Sequence, residues 1–404
     1  MGWGIERMSM TKAGDRTAEH VVHEAVGPAF SGVEAGAAIA IGVVSLLIAG
    51  ELSVLLGGLA DEHRLSASGI GIAAAIEALT MGIVAGLAGV FLKARRLRLL
   101  GVGATLALAL VDLSTIRMHD NGILAVRAVA GIPEGLLLWI TIGMIARTAT
   151  PERWSAVLFT ALTSAQLAVA TAFSVVILPR FGVNGGFIFL AVVSLVGLGI
   201  ACFIPDQYPP LPEEGQANGG APPPRGWIAL VATFIYVAAA GAVGIYLVPL
   251  AHQAGLSADI ARSALPLSLA AQILAGVLAM VVAGRVHYFM IFVAGTVASL
   301  ALWSVYEFAA PAWLFVTATV GFGFVAIFVS PFLVPMTIEA DPSRRAAVQS
   351  GAAQLLGAAF GPFVASLAVD DHHARGAIWL GAGLLVAGMA MIAGLHFTAR
   401  AVEA

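Results

Sequence analysis

The chain has 404 residues, 60% of them hydrophobic and only 11% charged, with a mean hydropathy of +0.96. Soluble domains carry about 25% charged residues, so a water-soluble globule is excluded. With 20 basic and 23 acidic side chains, net −3, there is no basic domain to bind nucleic acid. The lone cysteine, Cys202, excludes a disulfide or a cysteine-held metal within the chain.

Residues 1–34 are polar and mixed in charge, with no apolar core followed by a cleavage site. They are expected to form a cytoplasmic tail, not a signal peptide. Beyond them the apolar residues come in blocks of about 20, the length that crosses a bilayer as a helix. Charged punctuation between the blocks predicts helices over 35–60, 69–92, 98–116, 121–146, 154–178 and 185–204, a six-helix unit spanning 35–204. The segment "PDQYPPLPEEGQANGGAPPPRG" (205–226) is Pro-, Gly- and acid-rich and reads as a cytoplasmic linker. Six more helices are predicted over 227–251, 260–283, 287–308, 311–338, 346–369 and 376–397. They form a second unit, 227–397, followed by a short tail, 398–404.

Two features support this count. With both termini inside, most of the 20 lysines and arginines fall on the cytoplasmic side, including the cluster "KARRLR" (93–98), as the positive-inside rule requires. The halves also share sequence. "LADEHRLSA" (59–67) matches "LAHQAGLSA" (250–258), and "PERWSAV" (151–157) matches "PSRRAAV" (342–348), at one offset and in equivalent loops. A six-helix unit is therefore repeated in the same orientation.

This plan resembles the major facilitator superfamily of secondary transporters, over about 35–397. Arg127, Gly131 and Gly135, spaced by three residues in the fourth span, resemble the family's Arg-containing motif. "GVFLKARRLR" (89–98) resembles its signature between the second and third spans, with Lys93 where the family pattern has an acid. The fifth span offers "SAQLAVATAFS" (164–174) in place of the Gly-Pro motif of drug/proton antiporters, and "GAAQLLGAAFGP" (351–362) supplies small residues for tight helix contacts. The resemblance implies an all-α polytopic membrane protein of twelve transmembrane helices in two six-helix halves, with the first, fourth, seventh and tenth spans lining a central cavity.

Ionisable residues inside a bilayer are costly, at least about 2.5–3.5 kcal/mol each, and need a reason. Those predicted at membrane depth are Glu51, Glu77, Asp112, Arg127 and Glu134, with Glu307 nearer an end. In the repeat Ala242 stands opposite Glu51 and Ser268 opposite Glu77, so the fold does not need acids there. Glu51 and Glu77 lie at similar depth on adjacent spans, which suggests a carboxyl pair able to carry a proton. Arg127 calls for an anionic ligand or a carboxylate partner, and Asp112 lies at its depth on the third span. Glu134, two turns further along the same face, does not reach Arg127; Gly131 between them is expected to leave open space. By the resemblance, Arg127, Glu134 and Glu51 face the substrate path, and Tyr236, Tyr246 and Gln272, with Phe322 and Phe324, line it from the second half. Pro133 is expected to kink the fourth span, and Trp139 to pack. Glu339, Arg344 and Arg345 read as a cytoplasmic gate or a solvated loop.

Neither a phosphate-binding loop nor a metal-ligand spacing is present; His252, His372 and His373 fall in outer loops. The expectation is a monomeric inner-membrane transporter, not an enzyme, with no cofactor or metal. It would move a small organic solute, an anion by the presence of Arg127, by alternating access with proton symport. The alternative is proton-coupled efflux of a lipophilic cation or drug.

Overall fold

The computed structural model describes residues 30–211, 221–308, 310–369 and 374–403. Most of the expected N-terminal tail, part of the linker, and His372 with His373 lie outside the described residues. The chain folds as α1 (Gly32–Asp61), α2 (Ala67–Phe91), α3 (Leu97–Thr115), α4 (Asn121–Ile145), α5 (Pro151–Ala172) and α6 (Leu178–Ala201). Then follow α7 (Pro224–Gly244), α8 (Leu247–Gln253), α9 (Ala258–Val282), α10 (Tyr288–Glu307), α11 (Ala312–Val329), α12 (Leu333–Ala340), α13 (Arg345–Ser366) and α14 (Gly376–Glu403).

These helices make twelve rods, six before the linker and six after. The fifth rod runs from α5 through a π-helical turn, Phe173–Ile177, into the start of α6. It ends at Gly182, whose φ of 64° breaks the helix and starts the sixth rod. The seventh rod is α7 with α8, bent at Ile245 and Tyr246. The tenth is α11 and α12 joined by a 3-10 turn, Ser330–Phe332. Rod ends fall close to the predicted boundaries because they are chemically marked. Ser31 and Glu34 form a reciprocal capping box at the start of α1, Ser66 accepts the Gly69 N–H at 3.1 Å, and Pro151 opens α5.

Helices suit this composition because a bilayer offers no water to backbone groups, so each span must satisfy its own. Large apolar side chains such as Leu99, Val175, Phe181, Leu274, Phe363 and Trp379 are exposed around the bundle, where lipid accommodates them. Each half has its own apolar core, and Val334, Ala347, Val348 and Ala352 of the second half join the core of the first.

Close packing rests on small residues. In α13 a side chain at Gly357 or Gly361 would meet the backbone of α7, at the carbonyls of Phe234 and Ala238. In α4 a Cβ on Gly131 would lie 2.6 Å from the Glu77 carbonyl, and one on Gly135 would lie 2.9 Å from Val84 Cβ. The open space expected beside Gly131 is therefore filled by the backbone of α2. Pro133 sits within an unbroken helical run of α4.

The bundle has one basic end, carrying the loops at 92–96 and 341–344 and the start of the linker. That start is docked, not free. Tyr208 N–H donates to Ala94 O at 3.0 Å, Tyr208 Oη donates to Ile140 O at 2.8 Å, and Arg147 lies over its ring. Burial pushes the Tyr208 phenol above its ordinary range, so it stays a hydrogen-bond donor.

Candidate functional site

The close approach of α4 to α2 has a chemical consequence. It brings Glu77 of α2 against the charged face of α4, where Arg127 and Glu134 project, with Asp112 supplied by α3. Arg127 Nη1 lies 3.2 Å from Asp112 Oδ1 and 3.8 Å from Glu77 Oε1, and Nη2 donates to Thr115 Oγ1 at 2.7 Å. The Phe187 ring of α6 lies 5.6 Å from the guanidinium carbon, a geometry that adds a cation–π attraction. Glu134 does not ion-pair with Arg127; its carboxyl is close enough to that of Glu77 for each to act electrostatically on the other, with no well-formed hydrogen bond between them.

All four side chains are sealed from solvent, with exposures of 1% for Glu77 and 0% for Asp112, Arg127 and Glu134. Both carboxyl oxygens of Glu77 and of Glu134, one of Asp112, and Arg127 Nε lack a hydrogen-bond partner. Three carboxyl groups and one guanidinium thus lie together in a dry site, and only Asp112 and Glu77 pair with the guanidinium. Full ionisation leaves negative charge in excess, which burial penalises heavily, and bound protons are the simplest compensation. The cluster's partners, with Ser45 of α1 on the Glu134 carbonyl at 2.9 Å, all belong to the first half. In this conformation Arg127 and Glu134 face the interior of that half, not a path between halves.

The other candidates stand elsewhere. Glu51 is 5% exposed, and the groups that act on Glu77 are Arg127, Glu134 and Asp112, with Glu51 not among them. Equal depth put the two acids level, but Glu77 is rotated toward α4 by its backbone contact with Gly131. Gly50, next to Glu51, leaves room for the Gln166 amide of α5. Tyr236 is packed inside the second half, edge-on to Phe292 at 5.1 Å and 3.5 Å from Thr296 Oγ1. Tyr246 is half-buried at the bend between α7 and α8. Gln272 donates to Ser268 at 3.2 Å beside Gly323. Phe322 packs edge-on to Trp303, and Phe324 stacks with Phe328. Glu307 is half-buried, and His252 is exposed.

Over residues 33–358 the sequence matches the family profile of the Major Facilitator Superfamily. The chain belongs to the major facilitator superfamily. Its members are transporters, not enzymes, and act on small molecules in a lipid bilayer. No curated protein sequence matches this member. Among solved structures it resembles the human organic anion transporter MFSD10 (TETRAN), with a TM-score of 0.71, 14% identity, and coverage of 91% of this chain and 100% of that one. It also resembles the superfamily transporter FucP in the outward conformation (0.70, 12%, 89% and 98%). A third is the proton:xylose symporter XylE bound to 6-bromo-6-deoxy-D-glucose (0.69, 15%, 89% and 95%). At these identities the likeness establishes the fold.

In this superfamily member the basic end joins the halves. Arg344, in the left-handed conformation at φ 61°, donates to Ala146 O at 2.8 Å and Thr148 O at 3.0 Å across the interface. Partial burial lowers its guanidinium pKa. Beside this latch is a cavity of about 520 Å³ lined by both halves. Lys93, Arg95, Arg147 and Arg345 are among its lining residues, with Trp139 and Tyr208. Trp139, expected from the sequence to pack, and Lys93, which there stands out only as a departure from the family pattern, both line the cavity. One further group of chemistry-bearing residues, His287, Glu339 and His396, meets at this end from three spans. Of the three, only Glu339 stands out in the sequence, because no spacing along the chain signals the convergence.

Proposed function

We propose that this transporter moves a small organic solute by alternating access coupled to protons, with the Glu77–Glu134 carboxyl pair as a proton site. The observation that carries the reading is the buried excess of three carboxyl groups over Arg127. A proton on this pair lowers the cost of burial, and its loss charges the centre of the first half. That gives the two protonation states different packing energies, which is what coupling needs. Asp112 serves as the fixed partner that keeps Arg127 charged and in place. Glu51, buried on α1 with no ion pair among the described residues, is proposed as a second, independent acid.

The basic end is proposed to face the cytoplasm, as the positive-inside rule demands, with both termini there and the protein in the inner membrane. Since Arg127 is already partnered, the preference for an organic anion rests instead on the cationic cavity at the basic end. Tyr246 and Gln272, both partly exposed, are the second-half residues proposed to meet the solute; Tyr236 supports them from behind. Efflux of a lipophilic cation is the rival, favoured by the acids and by the aromatic Phe324–Phe328 stack.

The test is proton flux in proteoliposomes presented with panels of organic anions and organic cations. Anion-dependent proton uptake in the wild type, lost in Glu77→Gln and Glu134→Gln while solute exchange persists, is the expected result. Undiminished proton movement in the double variant refutes the assignment; proton release driven by cations only transfers the reading to efflux.

A further inference from the structure

We propose that His287, Glu339 and His396 form a binding site for a divalent transition metal of the Zn²⁺ type. The three come from the start of α10, the end of α12 and the last turns of α14, and their donor atoms lie within 4.8 Å of one another. His287 Nε2 is 3.4 Å from Glu339 Oε2, and His396 Nδ1 is 3.5 Å from Glu339 Oε1. Tetrahedral zinc with bonds of about 2.0–2.2 Å to His and Glu sets its ligand atoms roughly 3.3–3.5 Å apart; each imidazole already lies at that distance from one oxygen of the Glu339 carboxylate, and a modest turn of the carboxylate lets a single oxygen serve both. Two imidazoles and one carboxylate are also the donor set of an open zinc site, with a fourth position left for water.

His396 is the second observation. It is 4% exposed, and its Nδ1, aimed at Glu339, makes no hydrogen bond. A buried imidazole nitrogen with no hydrogen bond is costly, and a metal ion between it and the carboxylate satisfies both. The ring is held in its pose by stacking on Phe289, with centroids 4.4 Å apart and planes at 11°. Tyr288 Oη donates to Glu339 Oε1 at 2.7 Å, the outer-shell bond that commonly orients a ligating carboxylate. His287 is 44% exposed at its side chain and provides the entry route. Its Nδ1 accepts the Phe289 N–H at 3.2 Å. Coordination through Nε2 moves the ring proton to Nδ1 and gives up that one long bond.

Glu339 lies five residues before Arg344, so a metal here fixes the end of α12 from which the latch between halves departs. The experiment uses full-length protein without a polyhistidine tag, stripped of metal and titrated with Co²⁺. We expect one equivalent to produce the intense visible bands of four-coordinate cobalt, and Zn²⁺ to bleach them. His396→Ala and Glu339→Gln should weaken binding by well over tenfold. Tyr288→Phe, which keeps all three ligands, should weaken it by about tenfold. Should the buried variants fail to fold, the half-exposed His287→Ala decides, since its removal disturbs little packing. Absence of the bands in the wild type, or equal bands in His287→Ala, overturns the site and assigns the cobalt to other histidines.

Discussion

Arg127 concentrates the electrostatic questions of this protein in one side chain. Its charge is held between Asp112 and Glu77, so removing it strands carboxyl groups in a site without water. We predict that Arg127→Gln destabilises the protein by about 3–5 kcal/mol, the usual cost of breaking a buried pair from one side. The Arg127→Gln/Asp112→Asn double variant should recover part of that loss, because it deletes a whole pair. Thermal unfolding in detergent measures both, and a double variant no more stable than Arg127→Gln contradicts the pairing. A second expectation separates the acids. Since Glu51 and Glu77 occupy different sites, Glu51→Gln and Glu77→Gln should change the pH dependence of transport additively. Strong non-additivity in the double variant would instead mean that they share a proton.

Among elements, α4 and its contact with α2 matter most. Gly131 and Gly135 let two backbones touch, and that contact brings Glu77 beside Arg127. Gly131→Ala should therefore cost stability, about 1–3 kcal/mol as for other overpacked sites, because its Cβ meets backbone that cannot move aside. Gly103→Ala in α3, where nothing lies within 4 Å, is the matched control and should cost nothing. Equal melting temperatures for the two variants would show that the α2–α4 contact is not tight. The same element marks what a sequence can disclose. The spans are readable because apolar blocks of bilayer length alternate with charge, Gly and Pro, and depth follows from the helical rise. Depth puts Glu51 level with Glu77, and Arg127 level with Asp112. It does not say which way a side chain turns about its helix axis, so the Glu77–Glu134 approach is invisible. His287, Glu339 and His396 are likewise far apart in sequence and meet only through the packing of α10, α12 and α14.

For the whole molecule, the question is what holds the basic end shut. In the described residues the halves meet chiefly through two helix contacts: α2 with α13, where Gly82, Gly86 and Gly89 face Leu356, Ala352 and Gln349, and α5 with α9, where Gly276 faces Thr160. The Arg344 hydrogen bonds to Ala146 and Thr148 add to these. A helix seam of small residues can slide or separate at modest cost, whereas two charge-assisted bonds to carbonyls at the ends of one loop form a discrete catch. Arg344 is the repeat counterpart of Arg153, at the start of α5, so the two halves carry a basic residue at the same corner but only Arg344 reaches across. Alternating access requires this catch to open, so it sets part of the energy gap between the two conformations. Arg344→Ala should shift the population toward the form open at the basic end. Spin labels at exposed Thr150 in the first half and exposed Arg285 in the second report it, in a Cys202→Ser background. The expected outcome is a longer distance component that grows in Arg344→Ala and is absent or minor in the wild type. Arg344→Lys should give an intermediate distribution, because a single ammonium can serve both carbonyls but with less exact geometry. If the distance distribution is unchanged in Arg344→Ala, the seam alone holds the end closed and the catch has no part in gating.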